Sequence, residues 1–309
     1  MREVELFMNV VALEVGGAYV KGCVLGSDDV LRDRERWLTR PERGPDAVLE
    51  TVLDCAAALA RRSRAVAAGI VVPGVVDDSS GIAVLAGALG WRQVPVRSWA
   101  AEHLEVPVAL GHDVRAGGLA EARLGAGRGS RNFLFVSVGT GIAAAWVLDG
   151  RVVPGSQGAG GELGHLVVRP GGELCHCGGR GCLETIASSP ALTHRYSRLA
   201  RWRGVGAGEL YHRADAGDTV ARAVCAEAVE ALAAVLATAV TLYAPELLVI
   251  GGELGDGGGE RLAPLQGALA RRLTFQSMPE VLPAAFGDRS GCMGAALLAR
   301  EIRREVAAS

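Results

Sequence analysis

Apolar and polar positions alternate along this chain in blocks whose lengths predict an α/β protein. The opening NVVALEVGGAYVKGCVLG reads as strand, glycine turn, strand: Val10 to Val15 are mostly β-formers, Gly16 and Gly17 turn the chain, and Ala18 to Leu25 run back. Residues 46–62 carry Leu49, Val52, Leu53, Ala56 and Leu59 at helical spacing, on one face. VAAGIVVPGVV (66–76) is an apolar strand ending in a Pro-Gly turn, and VPVALG (106–111) is a strand followed by a helix over about 114–124. RNFLFVSVGTGIAAAWVLDGRVV (131–153) repeats the opening plan of strand, glycine turn, strand. Residues 155–182 are loop-rich, and helices follow near 190–203 and 218–243, the second strongly apolar. ELLVIGGELGDGGG (246–259) runs one more strand into glycines, and an amphipathic helix over 294–306 ends the pattern. The recurrence of one layout predicts two similar α/β domains, with a boundary near Gly111.

Composition supports the division: 309 residues are long for one core. A formal net charge of −2 gives no electrostatic case for nucleic acid. Lys21 is the lone lysine, so nearly all positive charge is arginine, a bias that reflects base composition more than function. Arg2, Glu3 and Glu5 precede an apolar stretch that reads as a strand and not as a signal peptide. The uncharged run Ala231 to Pro245 falls short of the roughly 20 residues a membrane span needs, and no membrane partner is expected. Seven cysteines, an odd number in a large chain, argue against a secreted disulfide scaffold and for a reducing cytoplasm.

Three of those cysteines fall in GHLVVRPGGELCHCGGRGC (164–182). His165, Cys175, Cys177 and Cys182 offer one imidazole and three thiols, a set that suits a tetrahedral structural zinc ion. Cys-x-Cys reaches one metal only through a tight turn, which the flanking glycine pairs permit. The bland alternative is free thiols in a loop. Four protein ligands would close the shell, so the metal would be structural. Cys23, Cys55, Cys225 and Cys292 sit in apolar stretches and read as core.

Glycine turns at Gly16-Gly17, Gly139-Thr140-Gly141 and Gly251-Gly252 each follow an apolar strand, where backbone N–H groups can surround a phosphate. No GxxxxGK[ST] is present, and the first strand lacks GxGxxG, which argues against a P-loop and a Rossmann site. Asp113 sits where a strand gives way to a helix, a place that an aspartate fills as a helix N-cap. Glu162 lies three residues before His165, and Glu184 two residues after Cys182, so a stiffened loop would gather Glu162, His165 and Glu184. Carboxylates around a cavity suit sugar hydroxyls, and surface solvation is the alternative for each singly.

Taken together, GAGGELGH followed by CHCGGRGCLE resembles the sugar-binding and zinc signature of the ROK family (repressors, open reading frames, sugar kinases). VVPGVVDDSSG (71–81), LGWRQVPV (89–96) and VGTGI (138–142) resemble further family segments, in the family's order. The resemblance implies an actin-like ATPase (ribonuclease H-like) fold, with two similar α/β domains flanking a cleft. Residues 1–111 and a C-terminal helix over 294–309 would form the first domain, and 112–293 the second. It further implies an ATP-dependent hexose kinase, glucokinase-like and acting at the 6-hydroxyl, with Mg²⁺ on the nucleotide. Asp113 would be the catalytic base. His112, Glu162, His165 and Glu184 would contact sugar, His165 while also ligating zinc. Glu14, Gly16, Gly17, Gly139, Thr140, Gly141, Gly251 and Gly252 would line the ATP site. A homodimer or homotetramer is implied. DNA binding is not expected, because the nine residues before the first strand leave no room for a helix-turn-helix.

The chain departs from that pattern in places. The family's Asp-x-Gly-Gly-Thr is here Glu14-Val15-Gly16-Gly17-Ala18, which lengthens the carboxylate arm and removes a hydroxyl. His112 stands where the family usually has the Asn before the base, and Ala88 replaces another frequent Asn. Glu253 breaks the glycine triplet of the third turn and puts an extra negative charge near the expected nucleotide. These departures leave an alternative: a non-catalytic sugar sensor or regulator descended from such a kinase.

Overall fold

The structure, a computed structural model, describes residues 8–202 and 204–308. Arg2, Glu3, Glu5 and the predicted helix end at Arg203 lie outside those residues. The chain divides into two compact units, Met1–Ala120 with Pro154–Gly160 and Arg289–Ser309, and Glu121–Val153 with Gly161–Asp288.

Unit 1 begins with strands β1 (Val10–Val15), β2 (Tyr19–Leu25) and β3 (Leu31–Leu38), followed by helix α1 (Pro45–Ser63) and strand β4 (Ala67–Val72). Short strands β5 (Val75–Asp77), β6 (Ile82–Ala86) and β7 (Trp91–Val94) make a separate three-stranded sheet. Helix α2 (Val96–Leu104), strand β8 (Val108–His112) and helix α3 (Asp113–Leu124) follow. The main sheet has the order β3-β2-β1-β4-β8. Every residue of β4, and all of β1 except Glu14, is buried. Such continuous apolar strands need cover on both faces. α1 starts with Pro45 in its first turn, where the missing N–H is harmless, and buries Val48, Val52, Ala56 and Leu59.

Unit 2 contains β9 (Asn132–Val138), β10 (Ile142–Leu148) and β11 (Arg151–Val153). Helices α4 (Glu184–Ala187), α5 (Ser189–Ala200), α6 (Ala207–Asp215) and α7 (Thr219–Tyr243) come next. Strand β12 (Leu247–Gly252), helix α8 (Gly258–Ala270) and strand β13 (Glu280–Pro283) complete it. Its sheet runs β11-β10-β9-β12-β13, the same plan as in unit 1. In each sheet the first strand pairs antiparallel with the second and parallel with the fourth. The repeat read from two glycine turns is therefore a repeat of whole sheets, the arrangement expected of an actin-like α/β fold.

α7 is apolar and long enough to cross a membrane by length and composition, at a mean hydropathy of 1.9. Here it packs on α4, α5, α6 and α8 as the core helix of unit 2, with Val224, Leu232 and Leu236 buried. Asp218 caps its start, accepting from the N–H groups of Val220 (2.9 Å) and Ala221 (3.0 Å).

The last helix, α9 (Ser290–Ala308), packs on β1, β4 and β8. It also lies against the first turns of α3, where a Cβ at Gly294 would meet Ala116 O at 2.0 Å. That close packing holds the start of α3 in unit 1. The division therefore falls after Ala120, nine residues past the Gly111 boundary read from sequence.

Candidate functional site

In unit 1, Glu14 is next to last in β1 and lies opposite Lys21 of β2 in the antiparallel register. Its Oε1 is 3.2 Å from Lys21 Nζ, so the lone lysine of the chain pairs with the carboxylate of the first turn. Gly16 closes the turn by donating to Tyr19 O at 2.8 Å. Thr39 braces it from behind. Its hydroxyl donates to Gly16 O (2.7 Å) and its N–H to Ala18 O (3.0 Å). Nothing in the sequence spacing singles out Thr39, which sits 23 residues from Gly16 and is 1% exposed. Ala88 lies against Gly17, where an added Cβ would meet the Ala88 Cβ at 3.3 Å.

His112 ends β8 and Asp113 begins α3. Asp113 Oδ1 accepts the N–H of the next residue, Val114, at 2.7 Å, not that of a residue two or three on as a helix N-cap would, while Oδ2 takes no hydrogen bond among the described residues. His112 is buried, and burial pushes its pKa below the ordinary histidine value, which favours the neutral ring; the facing Asp113 opposes this only in part. Its Nδ1 accepts the Arg115 N–H at 3.3 Å, which places the proton on Nε2. Arg115, also buried, donates to Gly158 O (2.5 Å), Val76 O (3.2 Å) and the Asp78 carboxylate (2.9 and 3.1 Å). It thereby ties residues 154–160 to β5. No motif announces this role, though Arg115 follows Asp113 by only two residues.

In unit 2 the segment carrying Glu162 and His165 runs along β10. Ala144 N–H donates to Gly161 O at 2.7 Å, and a Cβ at Gly161 would fall 1.9 Å from Ala144 O, so only glycine permits this approach. His165 then turns its two nitrogens to different neighbours. Nδ1 is 3.6 Å from Cys175 Sγ, and Nε2 is 3.9 Å from Glu162 Oε2.

Cys177 Sγ and Cys182 Sγ are 3.8 Å apart, and the four donor atoms of His165, Cys175, Cys177 and Cys182 all lie within 4.8 Å of one another. Tetrahedral zinc with bonds of about 2.3 Å to sulfur and 2.0–2.1 Å to nitrogen separates two sulfurs by about 3.8 Å and sulfur from nitrogen by about 3.6 Å. The donor set and its spacing fit that ion. Burial pushes the Cys182 thiol up to about 12 and raises Cys175 as well, whereas the Gly179 N–H draws Cys177 down. Ligation would therefore displace protons from buried thiols.

Glu184 opens α4 and is nine-tenths buried. Its Oε2 accepts the Ile142 N–H at 2.8 Å, and a Cβ at Gly141 would crowd that oxygen at 2.9 Å. The second glycine turn thus makes room for Glu184 beside Gly139, Thr140 and Gly141. Ser189 links this turn to the third: its N–H donates to Gly139 O (2.8 Å) and its hydroxyl to Glu253 Oε2. The extra charge of Glu253 is thus engaged by α5. Gly251 and Gly252 are the last residues of β12, paired with Ser137 and Val138 of β9, and Gly252, at a φ of 77°, opens the turn that runs on through Glu253 and Leu254.

The structure therefore gathers Glu14, Gly16 and Gly17 at one turn of unit 1, and joins His112 to Asp113. In unit 2 it brings Glu162, His165, Glu184 and the three cysteines together.

The sequence profile described as ROK family matches residues 10–302. A glucokinase of Thermotoga maritima is 28% identical over 310 residues, covering 95% of this chain and 98% of that protein. A kanosamine kinase of Amycolatopsis mediterranei is 35% identical over 240 residues, covering 75% of this chain and 76% of that protein. Among solved structures, a ROK family glucokinase from Streptomyces griseus in complex with glucose and AMPPNP superposes with a TM-score of 0.88 at 26% identity, covering 95% of this chain and 99% of that one.

Proposed function

The chain belongs to the ROK family and is a sugar kinase, and we propose that it transfers the γ-phosphoryl group of ATP to the 6-hydroxyl of a hexose. Asp113 is the general base of this reading. The observation that carries it is the division of labour in its carboxylate. Oδ1 is held by the Val114 N–H, and Oδ2 is left to accept a hydroxyl proton. The oxygen so activated attacks the γ-phosphorus in line, and the bond to the leaving ADP oxygen breaks. Positioning and charge stabilisation do most of the work in such a transfer.

His112, buried beside the base with its proton on Nε2, contributes a donor where smaller side chains would leave space. Glu162, His165 and Glu184 accept and donate to sugar hydroxyls. Gly16, Gly17, Gly139, Thr140 and Gly141 offer backbone N–H groups to phosphates. Gly251 and Gly252, at the end of β12, lead into the segment that flanks the nucleotide. Glu14 supplies the hard oxygen donor that a phosphate-bound Mg²⁺ or its waters take. His165, Cys175, Cys177 and Cys182 would hold zinc, which closes its shell with protein ligands and keeps the segment in shape. That leaves His165 Nε2 for substrate.

The test is the product. Phosphorus NMR of the reaction with Mg-ATP should show a 6-phosphate ester, and Asp113→Asn should abolish it. Ester at another position refutes the regiochemistry, and full turnover in Asp113→Asn refutes the base.

A further inference from the structure

His176 stands between Cys175 and Cys177, and neither the zinc reading nor the transfer step uses it. The cysteines on either side fix its place. Its ring lies edge-on to His165, with centroids 5.4 Å apart and planes at 78°. Its Nδ1 is 3.2 Å from Glu184 Oε1, and its side chain is 73% exposed.

Glu184 is the informative partner. Its side chain is 9% exposed, and Oε2 is satisfied by Ile142. Oε1 is buried and takes no hydrogen bond among the described residues, although His176 Nδ1 is near. Buried polar atoms are almost always hydrogen-bonded, and the exceptions cluster where a ligand completes the set. His176 Nδ1 lies within reach of this oxygen without a hydrogen bond between them, so a third group can engage both atoms.

We propose that His176 is a sugar-contacting residue that sets specificity jointly with Glu184. Glu184 Oε1 accepts a hydroxyl proton, and His176 Nδ1 engages the group on the adjacent carbon. The pair selects a sugar with two unsubstituted hydrogen-bonding groups on neighbouring carbons, either two hydroxyls or a hydroxyl and an amine. This rests on the reading that Glu184 faces the sugar.

The experiment measures binding of glucose, its monodeoxy analogues and kanosamine by titration calorimetry, with KM and kcat alongside. Wild type, His176→Ala and His176→Asn are compared, and the zinc content of each is checked. Loss of one neutral hydrogen bond corresponds to a weakening of about two- to tenfold. His176→Ala should weaken sugar binding by that amount, with kcat changed less than about twofold and zinc retained. One deoxy analogue should carry a penalty in wild type that vanishes in His176→Ala, and His176→Asn should recover part of it. If alanine disturbs zinc, the asparagine variant carries the comparison. Unchanged affinities and unchanged deoxy penalties in both variants overturn the role of His176 alone. A wild-type protein that binds none of these sugars overturns the hexose reading and this inference with it.

Discussion

The turn after β1 and the cysteine segment before α4 are both glycine-rich, yet only the second also gathers a set of metal-type donors. The first turn rests on several replaceable contacts: the Gly16–Tyr19 bond, two bonds from Thr39, and the Glu14–Lys21 pair. The cysteine segment has little apolar packing, with Leu166, Val167 and Leu174 exposed; backbone bonds such as Cys175 N–H to Gly179 O (2.8 Å) and Gly181 N–H to Glu173 O (2.9 Å) fold it, and four donor atoms that could hold one ion meet within it. Many weak contacts tolerate drift, because each can be replaced singly. A four-ligand site does not, because losing one ligand loses the ion. A bound ion would therefore make the cysteine segment less tolerant of exchange than the first turn, where Glu14 and Ala18 stand.

The comparison can be broken or sharpened at graded points. The largest effect should come from Asp113→Asn, which removes the base and lowers kcat by about 10²- to 10⁴-fold while the fold survives, since the amide oxygen can still take the Val114 N–H. Steady-state kinetics with circular dichroism as a control checks this.

Next is Cys182→Ser. Metal analysis should fall from one zinc per chain to none, and sugar affinity should drop with it, by about 10- to 100-fold. Retained zinc and unchanged affinity would show that the segment stands by itself. Because two of the thiols are raised by burial, zinc uptake by metal-free protein should strengthen as pH rises, as a competition assay with a chromogenic chelator would show.

Third, Glu14→Asp with Ala18→Thr should raise kcat/KM for ATP. One restored bond to a charged group contributes about 1.5–3 kcal/mol, or roughly 10- to 150-fold if felt fully in the transition state. No gain would mean that Lys21 and Thr39 already compensate.

The smallest effect concerns His112, whose pKa is lowered by burial while Asp113, Arg115 and Asp78 face it. The unfolded chain then binds a proton that the folded one refuses, so stability rises with pH over that interval. It is fully present above about pH 6.5 and is lost as pH falls below it, towards the folded pKa. Thermal melts from pH 7.5 to 5.5 should show a loss of stability that shrinks in His112→Asn.

Much of this was legible in the sequence where burial is one-sided or complete. β4 and β12 are continuous runs without a polar side chain, β1 and β9 are interrupted only by Glu14 and by Asn132 and Ser137, and α1 shows its face in the spacing of Leu49, Val52, Ala56 and Leu59. β3 was not legible. LRDRERWL is a largely exposed edge strand whose charges hide the alternation. The sheet of β5, β6 and β7 is built from strands of three to five residues, too short to show a period. α8 was masked by the glycines at its start and by Pro264 within it. In the site, spacing alone revealed the zinc-type donor set, because His165 and the three cysteines lie close in sequence. Thr39, Arg115 and Ser189 act through contacts 21 to 64 residues away, and no local pattern encodes such contacts. The same distance dependence hides how far the ladder with β9 reaches at the third glycine pair: it runs through to Gly252, which then opens the turn.

The most direct measurement is ADP release from Mg-ATP by the zinc-containing protein across hexoses, N-acetylhexosamines and kanosamine, with Asp113→Asn as control. Sugar-dependent turnover with at least one hexose, abolished in the control, is the predicted result. Zinc-loaded protein that binds a sugar yet releases no ADP above the control would contradict it, and would make this chain a sugar sensor in which Glu14 and Ala18 mark the lost activity.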